Sequence, residues 1–343
     1  MRGHYNGIAI TPLLQSRCVE LASDLVPDKV CLHLNSILGV ENLTNKSQVY
    51  RLVSRYGSSS EIEEELQSTR KSEELETVVQ PVGSSEEPEV IYAMFDGGLF
   101  LYDEGYKEVK IGRIFWGSQI EKAIQAADNE SVVRKNRVHN SEYMMREGHY
   151  ENFVTPFGKL IDAHRAQDED AQLVFITDGA TWMRQWIDQN HPHAVSILDF
   201  YHAYEHLCEF GNCAWSASKE RSEKLEEWKG QLRNGELDKI IVQLETYRTD
   251  PSATVSKAAE KLLTYLKHNR HRMRYDDYRR KGYLIGSGAI ESAVRSVAQQ
   301  RCKLSGQRWG NGLQPVLNIR ALYRSGKGGR MNKIINSHFN RAA

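Results

Sequence analysis

Two aspartates in this chain each follow a short apolar run and are each followed by glycine. Asp96 ends the run that starts at Val90 in "VIYAMFDGG", and Asp178 ends the run that starts at Leu173 in "LVFITDGA". Asp-Gly is a common turn signal, so a single pair of this kind indicates only a turn. Two such carboxylates at strand ends of one sheet could instead hold a metal ion, because hard divalent cations prefer oxygen ligands.

A third carboxylate with the same potential is Glu291, in the segment "IGSGAIESAVRSVAQQR". Two glycines and a serine precede a helical pattern, and Glu291 falls in its first turn. The helix dipole favours an acid at that position, so Glu291 alone predicts only a helix start. With Asp96 and Asp178 it completes a set of acids of the kind that a two-metal phosphoryl-transfer site shares between its ions. We therefore expect all three to be catalytic and to bind Mg²⁺ or Mn²⁺.

The order of the predicted strands and helices indicates which fold would position these acids. Three β-rich runs, "VIYAMF", "LFLY" and "YKEVKIGRIF", predict an antiparallel meander, and residues 142–166 have a helical pattern. A strand, a helix and a strand follow, whereas residues 201–281 have only helical patterns. This order is typical of an α/β, ribonuclease H-like fold with a mixed sheet interrupted by an all-helical insertion. In that fold the strands that carry Asp96 and Asp178 are neighbours.

A small helical domain is predicted ahead of the sheet, within residues 11–56. "PDKVCLHLNSILGV" begins with proline in its first turn and stops at glycine, and "TNKSQVYRLVSRYG" offers Thr or Asn as an N-cap. Two short helices joined by a glycine-containing turn indicate a helix-turn-helix, although many helical hairpins share this pattern. Its recognition helix would expose Lys46, Gln48 and Arg51 to DNA.

Charge is distributed unevenly along a chain whose formal net charge is zero. Residues 267–330 contain fifteen Lys or Arg against three acids, and residues 61–89 contain ten Glu against two basic residues. The basic block is typical of a phosphate-binding surface, although a solvated helical face gives the same pattern. The acidic stretch predicts a solvated helix and a linker. The predicted domains are a helical unit at 1–57, an acidic linker at 58–88, core segments at 89–202 and 282–328, a helical insertion at 203–281 and a tail at 329–343.

Composition and cysteine content exclude several classes of protein. The chain has 343 residues, of which 40% are hydrophobic and 26% charged, as in ordinary globular proteins. No window approaches the roughly eighteen apolar residues of a membrane span, and the N-terminus lacks the apolar centre of a signal peptide. The five scattered cysteines fit reduced thiols better than a disulfide framework. We therefore expect a cytoplasmic protein that does not bind membranes.

The chain from about residue 90 to 327 resembles the DDE transposases of bacterial insertion sequences, in the Mutator-like group. The matching stretches are "MFDGG", "GYKEVKIGRIF", "VFITDGATWM", "ILDFYHAYEHL" and the segment from "YLIGSGAIES" to "ALYRSGK". The last is the most specific, because its Gly-Ser-Gly-Ala-Ile-Glu-Ser opening, Arg-x-Lys and Arg-Trp in fixed order are hard to produce by chance. The resemblance implies a transposase whose three catalytic acids are Asp96, Asp178 and Glu291.

The same resemblance implies an accessory role for Asp199 and His202, which match the Asp-x-x-His element of the family. Without that context, such a pair predicts a helix N-cap and a surface histidine. His202 and His206 share a helical face, and Cys208 and Cys213 follow them, so a zinc site is conceivable. Because the spacing matches no common zinc finger, a reduced and unliganded group is the favoured interpretation.

Four basic residues that follow Glu291 are expected to contact the DNA backbone, the alternative being a solvated helix end. They are Arg295, Arg301, Lys303 and Arg308. On this interpretation the protein cuts double-stranded DNA at element ends and joins the freed 3′-hydroxyl to target DNA. Because two ends must be paired, at least a homodimer is expected on DNA. Two other functions stay open: a nuclease of the same fold without strand transfer, and a non-catalytic DNA-binding protein derived from a transposase.

Overall fold

A computed structural model describes residues 10–71, 88–121 and 137–340 of the chain. The chain divides into two compact units, named here the first unit, Met1–Gln172 with Ile290–Ala343, and the second unit, Leu173–Ala289. The fold is α/β, as predicted, with a mixed five-stranded sheet and many helices. Each unit has its own buried apolar core.

The described strands belong either to the mixed sheet or to a separate two-stranded ribbon. In chain order they are β1 (Val90–Tyr102), β2 (Gly105–Trp116), β3 (Ile120–Glu121), β4 (Arg137–Val138), β5 (Glu142–Glu147), β6 (Gln172–Thr177) and β7 (Val195–Leu198). Strands β1, β2 and β5 form an antiparallel meander, and β3 pairs with β4 in the ribbon. Strands β6 and β7 are parallel to each other.

Helices account for most of the remaining described chain. They are α1 (Pro12–Ala22), α2 (Pro27–Leu38), α3 (Lys46–Gly57), α4 (Ser60–Gln67), α5 (Tyr150–Arg165), α6 (Thr181–Asn190), α7 (Phe200–Ala214), α8 (Ser218–Arg233), α9 (Leu237–Thr246), α10 (Ala253–Asn269), α11 (Tyr275–Arg280), α12 (Gly288–Ala293), α13 (Gln300–Cys302), α14 (Leu313–Arg324) and α15 (Gly328–Asn340). A π-helical turn, Val294–Gln299, joins α12 to α13. Within the described ranges, none of these helices has the length and apolar character needed to cross a bilayer.

The first apolar run continues through Asp96 instead of stopping there. Asp96 pairs with Ile111 of β2, and the pairing continues past both following glycines to a tight turn at residues 103–104. The prediction of two strands, "VIYAMF" and "LFLY", separated by an Asp-Gly-Gly turn was therefore wrong. The partner strand offers an unbroken row of backbone hydrogen bonds, which outweighs the local turn preference of Asp-Gly.

The third strand of the meander comes from a segment that the sequence predicted to be helical. Residues 142–147, "EYMMRE", form β5 and pair with β2, and helix α5 begins only at Tyr150. Gly148 separates the two elements with a φ of 88°, a conformation that a glycine adopts without strain. Met144 and Met145 are both buried, so the apolar run gives neither a clear helical nor a clear alternating pattern.

The N-terminal helices pack against the C-terminal helices within the first unit. Asn318 of α14 donates a hydrogen bond to the carbonyl of Gly57, at the end of α3, across 2.9 Å. Arg320, also on α14 and only 1% exposed, donates to the carbonyl of Ser23, directly after α1, across 2.6 Å. Residues 1–57 were predicted to be a separate domain, but their described part shares one unit with the C-terminal helices.

The acidic stretch, predicted to be a solvated helix and a linker, begins with a helix, α4, that is packed and not solvated on all sides. Ile62 is fully buried, and Glu65 accepts a hydrogen bond from Arg330 at 2.5 Å. Some of the Glu side chains therefore neutralise basic residues of the C-terminal block. The linker prediction was wrong for residues 58–71, while its remainder, 72–87, lies outside the described residues.

The predicted tail at 329–343 is also helical, apart from its last three residues, which lie outside the described part of the chain. It forms α15, whose Met331 and Ile335 are buried. Ser16 of α1 donates a hydrogen bond to Asn332 of α15. The sequence pattern missed this helix because "GKGGRMNK" begins with glycines and is strongly basic.

The second unit combines β6 and β7 with helices α6 to α11. The insertion predicted at 203–281, all of which lies within the described residues, consists of helices joined by short loops and contains no strand. The compact unit to which it belongs is larger than predicted and runs from Leu173 to Ala289. The reason is that the helices hold the strands directly: Tyr275 donates a hydrogen bond to the carbonyl of Leu198 across 2.9 Å. Trp228, 0% exposed, lies at the centre of the helical part.

A buried group of charges joins β5, α5 and the loop before α15 in the first unit. Glu142, 2% exposed, accepts the Arg70 N–H at 3.0 Å, pairs with Lys327 and lies 3.5 Å from Nε2 of His164. Burial alone would raise the pKa of Glu142, but Lys327 and His164 lower it overall. Burial lowers the pKa of His164 to about 4, so this imidazole is neutral at pH 7.

Candidate active site and DNA-contact residues

Asp96 and Glu291 lie on two elements of the first unit that pack together. A Cβ atom built on Gly98 of β1 would lie 3.5 Å from Cγ1 of Val294, in the π-helical turn after α12. Because strand residues two apart share a face, Asp96 is on the same face of β1 as Gly98. Glu291 is three residues before Val294, nearly one helical turn away. The first unit therefore brings together the strand and the helix that carry these two acids.

The surroundings of both acids leave them partly accessible. Asp96 is half-buried, and its Oδ1 accepts the N–H of Gly97 at 2.6 Å. Glu291 is exposed in the first turn of α12, where the helix dipole favours a negative charge. The π-helical turn that follows is a rare element, found mostly at functional sites. It keeps Val294 buried while Arg295 stays exposed.

Asp178 lies directly after β6 in the second unit and forms the turn that Asp-Gly predicts. Its Oδ1 accepts the N–H of Ala180 at 2.9 Å, one residue before α6 begins. The next residue has to be small: a Cβ on Gly179 would lie 2.8 Å from the ring of Tyr265. Tyr265, on α10, is therefore packed directly against the backbone that follows Asp178.

Asp199 is a helix N-cap, which is the interpretation that its sequence pattern gave without the family context. It is 1% exposed, and its Oδ1 accepts the N–H groups of Tyr201 at 2.5 Å and His202 at 3.0 Å in the first turn of α7. Its Oδ2 accepts the N–H of Ser287 at 2.6 Å. This second bond holds the Gly-Ser-Gly segment, residues 286–288, against the start of α7 within the second unit.

His202 begins a row of three adjoining rings that starts on α7 and ends at Tyr265 of α10. The ring centroids of His202 and His206 are 4.9 Å apart, and those of His206 and Tyr265 are 4.2 Å apart. Burial and the nearby His202 lower the pKa of His206. The row leads from the Asp-x-x-His element to the residue that packs on Gly179. Cys208 and Cys213 are free thiols.

The residue types of the three acids suit magnesium, because each supplies carboxylate oxygens. Asp96 and Glu291 belong to the first unit and Asp178 to the second. Across residues 10–71, 88–121 and 137–340, no three or more His, Cys, Asp or Glu side chains are grouped so that they could hold a metal ion. The donor chemistry thus fits Mg²⁺, but the described arrangement does not itself form a centre for magnesium or for zinc.

Three of the four basic residues predicted to contact DNA are exposed. They are Arg295, Lys303 and Arg308. The fourth, Arg301, is 3% exposed, donates through Nε to the carbonyl of Ala22 at 3.3 Å and lies over the ring of Trp309. A guanidinium enclosed in this way does not fit a phosphate contact, so we correct its assignment to packing within the first unit.

The basic block as a whole is less open to solvent than its charge suggested. Arg272, Arg320, Lys327 and Arg330 are also buried, and the last three bond to carboxylates of their own unit. Part of the excess charge therefore stabilises the fold. Only the exposed basic residues of this block are available to contact phosphates.

The residues predicted for base recognition lie on α3, which forms a helical hairpin with α2. Gln48 is committed to the helix start, because its Oε1 accepts the Asn45 N–H at 3.2 Å in a capping box. Lys46 pairs with Asp28 at 3.2 Å. Arg51 is exposed in the middle of α3. Of the three, Gln48 fits its predicted role least well.

Three residues near Asp178 were missed by the sequence analysis: Thr177, Tyr265 and Arg272. Thr177 was counted only as part of a strand, and Arg272 only as one charge of the basic block. Tyr265 lies in a helical pattern with no chemical motif around it. Their proximity depends on how α10 folds back onto β6, which no local pattern reveals.

No protein-family model matches the chain, and a search of curated proteins gives no significant match.

Proposed function

We propose that this protein is a DDE transposase, which cleaves DNA at element ends and transfers the freed strand to target DNA. In this proposal the fold is ribonuclease H-like with an all-helical insertion, and Asp96, Asp178 and Glu291 are the catalytic acids. The observation that carries the proposal is the packing of Gly98 against Val294, because it puts the elements that carry Asp96 and Glu291 side by side in one unit.

The arrangement of the second unit supports the same proposal. Asp178 and Asp199 directly follow the carboxyl ends of the parallel strands β6 and β7. In α/β proteins, ligands bind outside the carboxyl ends of the strands, so residues at these positions are suited to contact a substrate. Asp199 is occupied by three backbone N–H groups. Its proposed role is therefore accessory, whereas Asp178 is the catalytic acid of this pair.

Both proposed reactions are in-line displacements at phosphorus. In cleavage, the oxygen of water bonds to phosphorus and the bond to the 3′-oxygen breaks, which leaves a 3′-hydroxyl and a 5′-phosphate. In strand transfer, that 3′-hydroxyl attacks a target phosphodiester, and the 3′-oxygen of the target strand leaves. Mg²⁺ or Mn²⁺, when bound, would activate the attacking oxygen and stabilise the leaving one.

Double-stranded DNA is the proposed partner, and the exposed side chains of Arg295, Lys303 and Arg308 are the proposed phosphate contacts. Arginine and lysine serve this purpose because they neutralise backbone charge without reading the base sequence. Strand transfer requires two element ends to be held together. We therefore propose at least a dimer on DNA.

The decisive experiment supplies the purified protein with labelled DNA from an end of the encoding element, a target plasmid and Mg²⁺ or Mn²⁺. A product in which labelled DNA is joined to the plasmid supports the transposase, and cleavage without joining supports a nuclease. Asp178→Asn is the matched inactive control, because it keeps the shape of the side chain and removes its charge. If the wild-type protein neither cleaved the labelled DNA nor joined it to the plasmid, both catalytic functions would be refuted.

A non-catalytic DNA-binding protein is the second candidate, and one observation favours it. In the described part of the chain, no group of three or more potential ligands is arranged to hold a metal ion. A protein of this kind would bind DNA through its exposed basic residues but would give the same result in the cleavage assay with Mg²⁺ and with a chelator.

A further inference from the structure

The last turn of the helical region in the second unit reaches back to both parallel strands. Nη2 of Arg272 donates a hydrogen bond to Oγ1 of Thr177, the last residue of β6, across 2.6 Å. Three residues later, the hydroxyl of Tyr275 donates to the carbonyl of Leu198, the last residue of β7, across 2.9 Å. Each bond therefore ends one residue before an aspartate of the candidate site.

The hydroxyl of Thr177 links Arg272 to the next residue, Asp178, because it accepts one hydrogen bond and donates another. Its hydroxyl donates to the carbonyl oxygen of Asp178 at 3.2 Å, while its own carbonyl accepts the N–H of Asp199 at 2.9 Å. A hydroxyl that accepts a bond from a cation is a stronger donor in turn. The bonds thus run in series from Arg272 through Thr177 to the backbone of Asp178.

Arg272 is an unusual residue to find at this position. Its side chain is 0% exposed, and burial lowers the pKa of its guanidinium. Among the described residues, neither Nε nor Nη1 has a hydrogen-bond partner, and the charge of Asp188 offsets the effect of burial only in part, because the pKa stays lowered. Burying a charged group without a paired carboxylate is costly. An apolar side chain would fill this position at a lower desolvation cost. The presence of an arginine is therefore best explained by its hydrogen bond to Thr177.

We propose that Arg272 is a positioning residue that orients Asp178 through the hydroxyl of Thr177, with Tyr275 holding the neighbouring strand end before Asp199. This inference rests on the proposed function for its catalytic meaning. Arg272 donates its hydrogen bond to Thr177 and to neither aspartate, so it acts through the strand end. The hydrogen bonds of Arg272 and Tyr275 would fix the direction in which the chain continues from β6 into Asp178.

The first test needs neither DNA nor metal, and it measures amide hydrogen exchange in the free protein. Thr177→Val removes the hydroxyl while keeping the side-chain shape, and Thr177→Ser restores it. If Thr177 orients Asp178, the bond from the Ala180 N–H to Asp178 opens more often in Thr177→Val. We expect exchange at Ala180 to accelerate by about tenfold or more, while exchange at Ile197 in β7 stays unchanged.

The second test separates positioning from stability by measuring the kinetics of DNA-end cleavage. Thr177→Val and Arg272→Met should each lower kcat by about tenfold to a hundredfold with KM nearly unchanged, because small displacements of a catalytic group have effects of this size. Arg272→Lys should restore part of the rate. Thr264→Val removes an exposed helix hydroxyl of the same unit, and Arg248→Met removes an exposed guanidinium, so both should behave as wild type.

The outcomes separate the inference from the proposed function. If the wild-type protein does not cleave DNA, the proposed function fails, and the exchange of Ala180 still decides whether Thr177 orients Asp178. If Arg272→Met does not fold, the two Thr177 variants carry the test alone. Wild-type exchange at Ala180 in Thr177→Val would overturn the inference, as would a wild-type kcat in this variant of an active protein.

Discussion

The carboxylate of Asp199 accepts the backbone N–H of Ser287 at 2.6 Å while it caps α7 with its other oxygen. A second bond, from the N–H of Phe200 to the carbonyl of Ile285 at 2.9 Å, runs beside it. One aspartate therefore ties the start of a helix to a glycine-rich loop far along the chain. Both bonds lie within the second unit, where they hold the loop that precedes α12 against the start of α7.

Replacing Asp199 by alanine should destabilise the protein more than an ordinary cap mutation. Loss of an N-cap costs about 1–2 kcal/mol, and here a third, partly buried N–H also loses its acceptor. The matched control is Asp250→Ala, which removes an acceptor for the Ser252 N–H in an exposed turn. Chemical denaturation should give a clearly larger loss of unfolding free energy for Asp199→Ala. Equal losses would contradict the structural role of Asp199.

The catalytic assignment predicts that Asp96→Asn, Asp178→Asn and Glu291→Gln each abolish DNA cleavage. Each change keeps the shape of the side chain and removes the charge that would bind a metal. Affinity for DNA, measured by fluorescence anisotropy, should stay close to wild type in all three, because these acids do not contribute positive charge. A variant that retains near wild-type cleavage would remove its residue from the catalytic set.

The packing of Tyr265 on Gly179 predicts opposite effects for two glycine substitutions. In Gly179→Ala, the added Cβ would lie 2.8 Å from the Tyr265 ring, and overpacking of this kind costs about 1–3 kcal/mol. In Gly230→Ala, the new Cβ meets nothing within 4 Å in the middle of α8, so helix propensity should raise stability by roughly 0.5–1 kcal/mol. Thermal unfolding measures both. A Gly179→Ala protein as stable as wild type would show that the ring can move aside.

The buried His164 predicts a loss of stability in mild acid. Its pKa is lowered by burial to about 4, below its ordinary value of 6.5, so the unfolded state binds more protons between these values. The stabilising contribution is therefore complete above about pH 6.5 and is lost as the pH falls towards 4. Glu142, Lys327 and Arg70 face this imidazole. The lowered pKa of Glu142 acts in the same direction but at more acidic pH.

His164→Gln should flatten the pH dependence of the unfolding free energy between pH 6.5 and 4. The matched control is His149→Gln, since the His149 side chain is 81% exposed and should not alter the profile. Urea denaturation at half-unit steps of pH measures the effect. An unchanged slope in His164→Gln would assign the acid sensitivity to other groups.

The exposed basic residues predict a particular pattern in DNA binding. Alanine at Arg295, Lys303 or Arg308 should weaken binding equally for end and non-end DNA and flatten the salt dependence by about one unit per phosphate contact. Arg301→Ala should instead lower the unfolding free energy with no change in slope, because this side chain is buried. Arg51→Ala should reduce discrimination between sequences more than affinity. A salt slope lowered only by Arg301→Ala would reverse these assignments.

The sequence identified those parts of the fold whose patterns are local. The helices of the second unit, α3 with its capping box, and the strand that ends before Asp178 all follow from periodicity and turn residues. The sequence predicted three strands in the meander, as observed, but did not identify the correct segments, because strand pairing overrode the turn preference at Asp96. The segment 142–147 was assigned to a helix, because two adjacent buried methionines hide the alternation of a strand.

The site was predictable where one residue type carries the chemistry and not where distant residues meet. Acids at strand ends and at a helix start are visible in a sequence, and so is the Asp-x-x-His spacing. The burial of Arg301 was not visible, because its partner Ala22 lies in a different part of the chain and charge counts do not reveal burial. The bond from Arg272 to Thr177 was hidden for the same reason.

The division of the first unit into two stretches has a consequence for the newly made chain. Residues 1–172 leave the ribosome well before α14 and α15, which cover α1 and α3. The second unit is continuous and has emerged completely before them. Until α14 and α15 have been made, the apolar faces of the early helices and of the meander lack their natural cover. Nascent or prematurely terminated chains would therefore be natural substrates for chaperones and proteases, even though their second unit is complete.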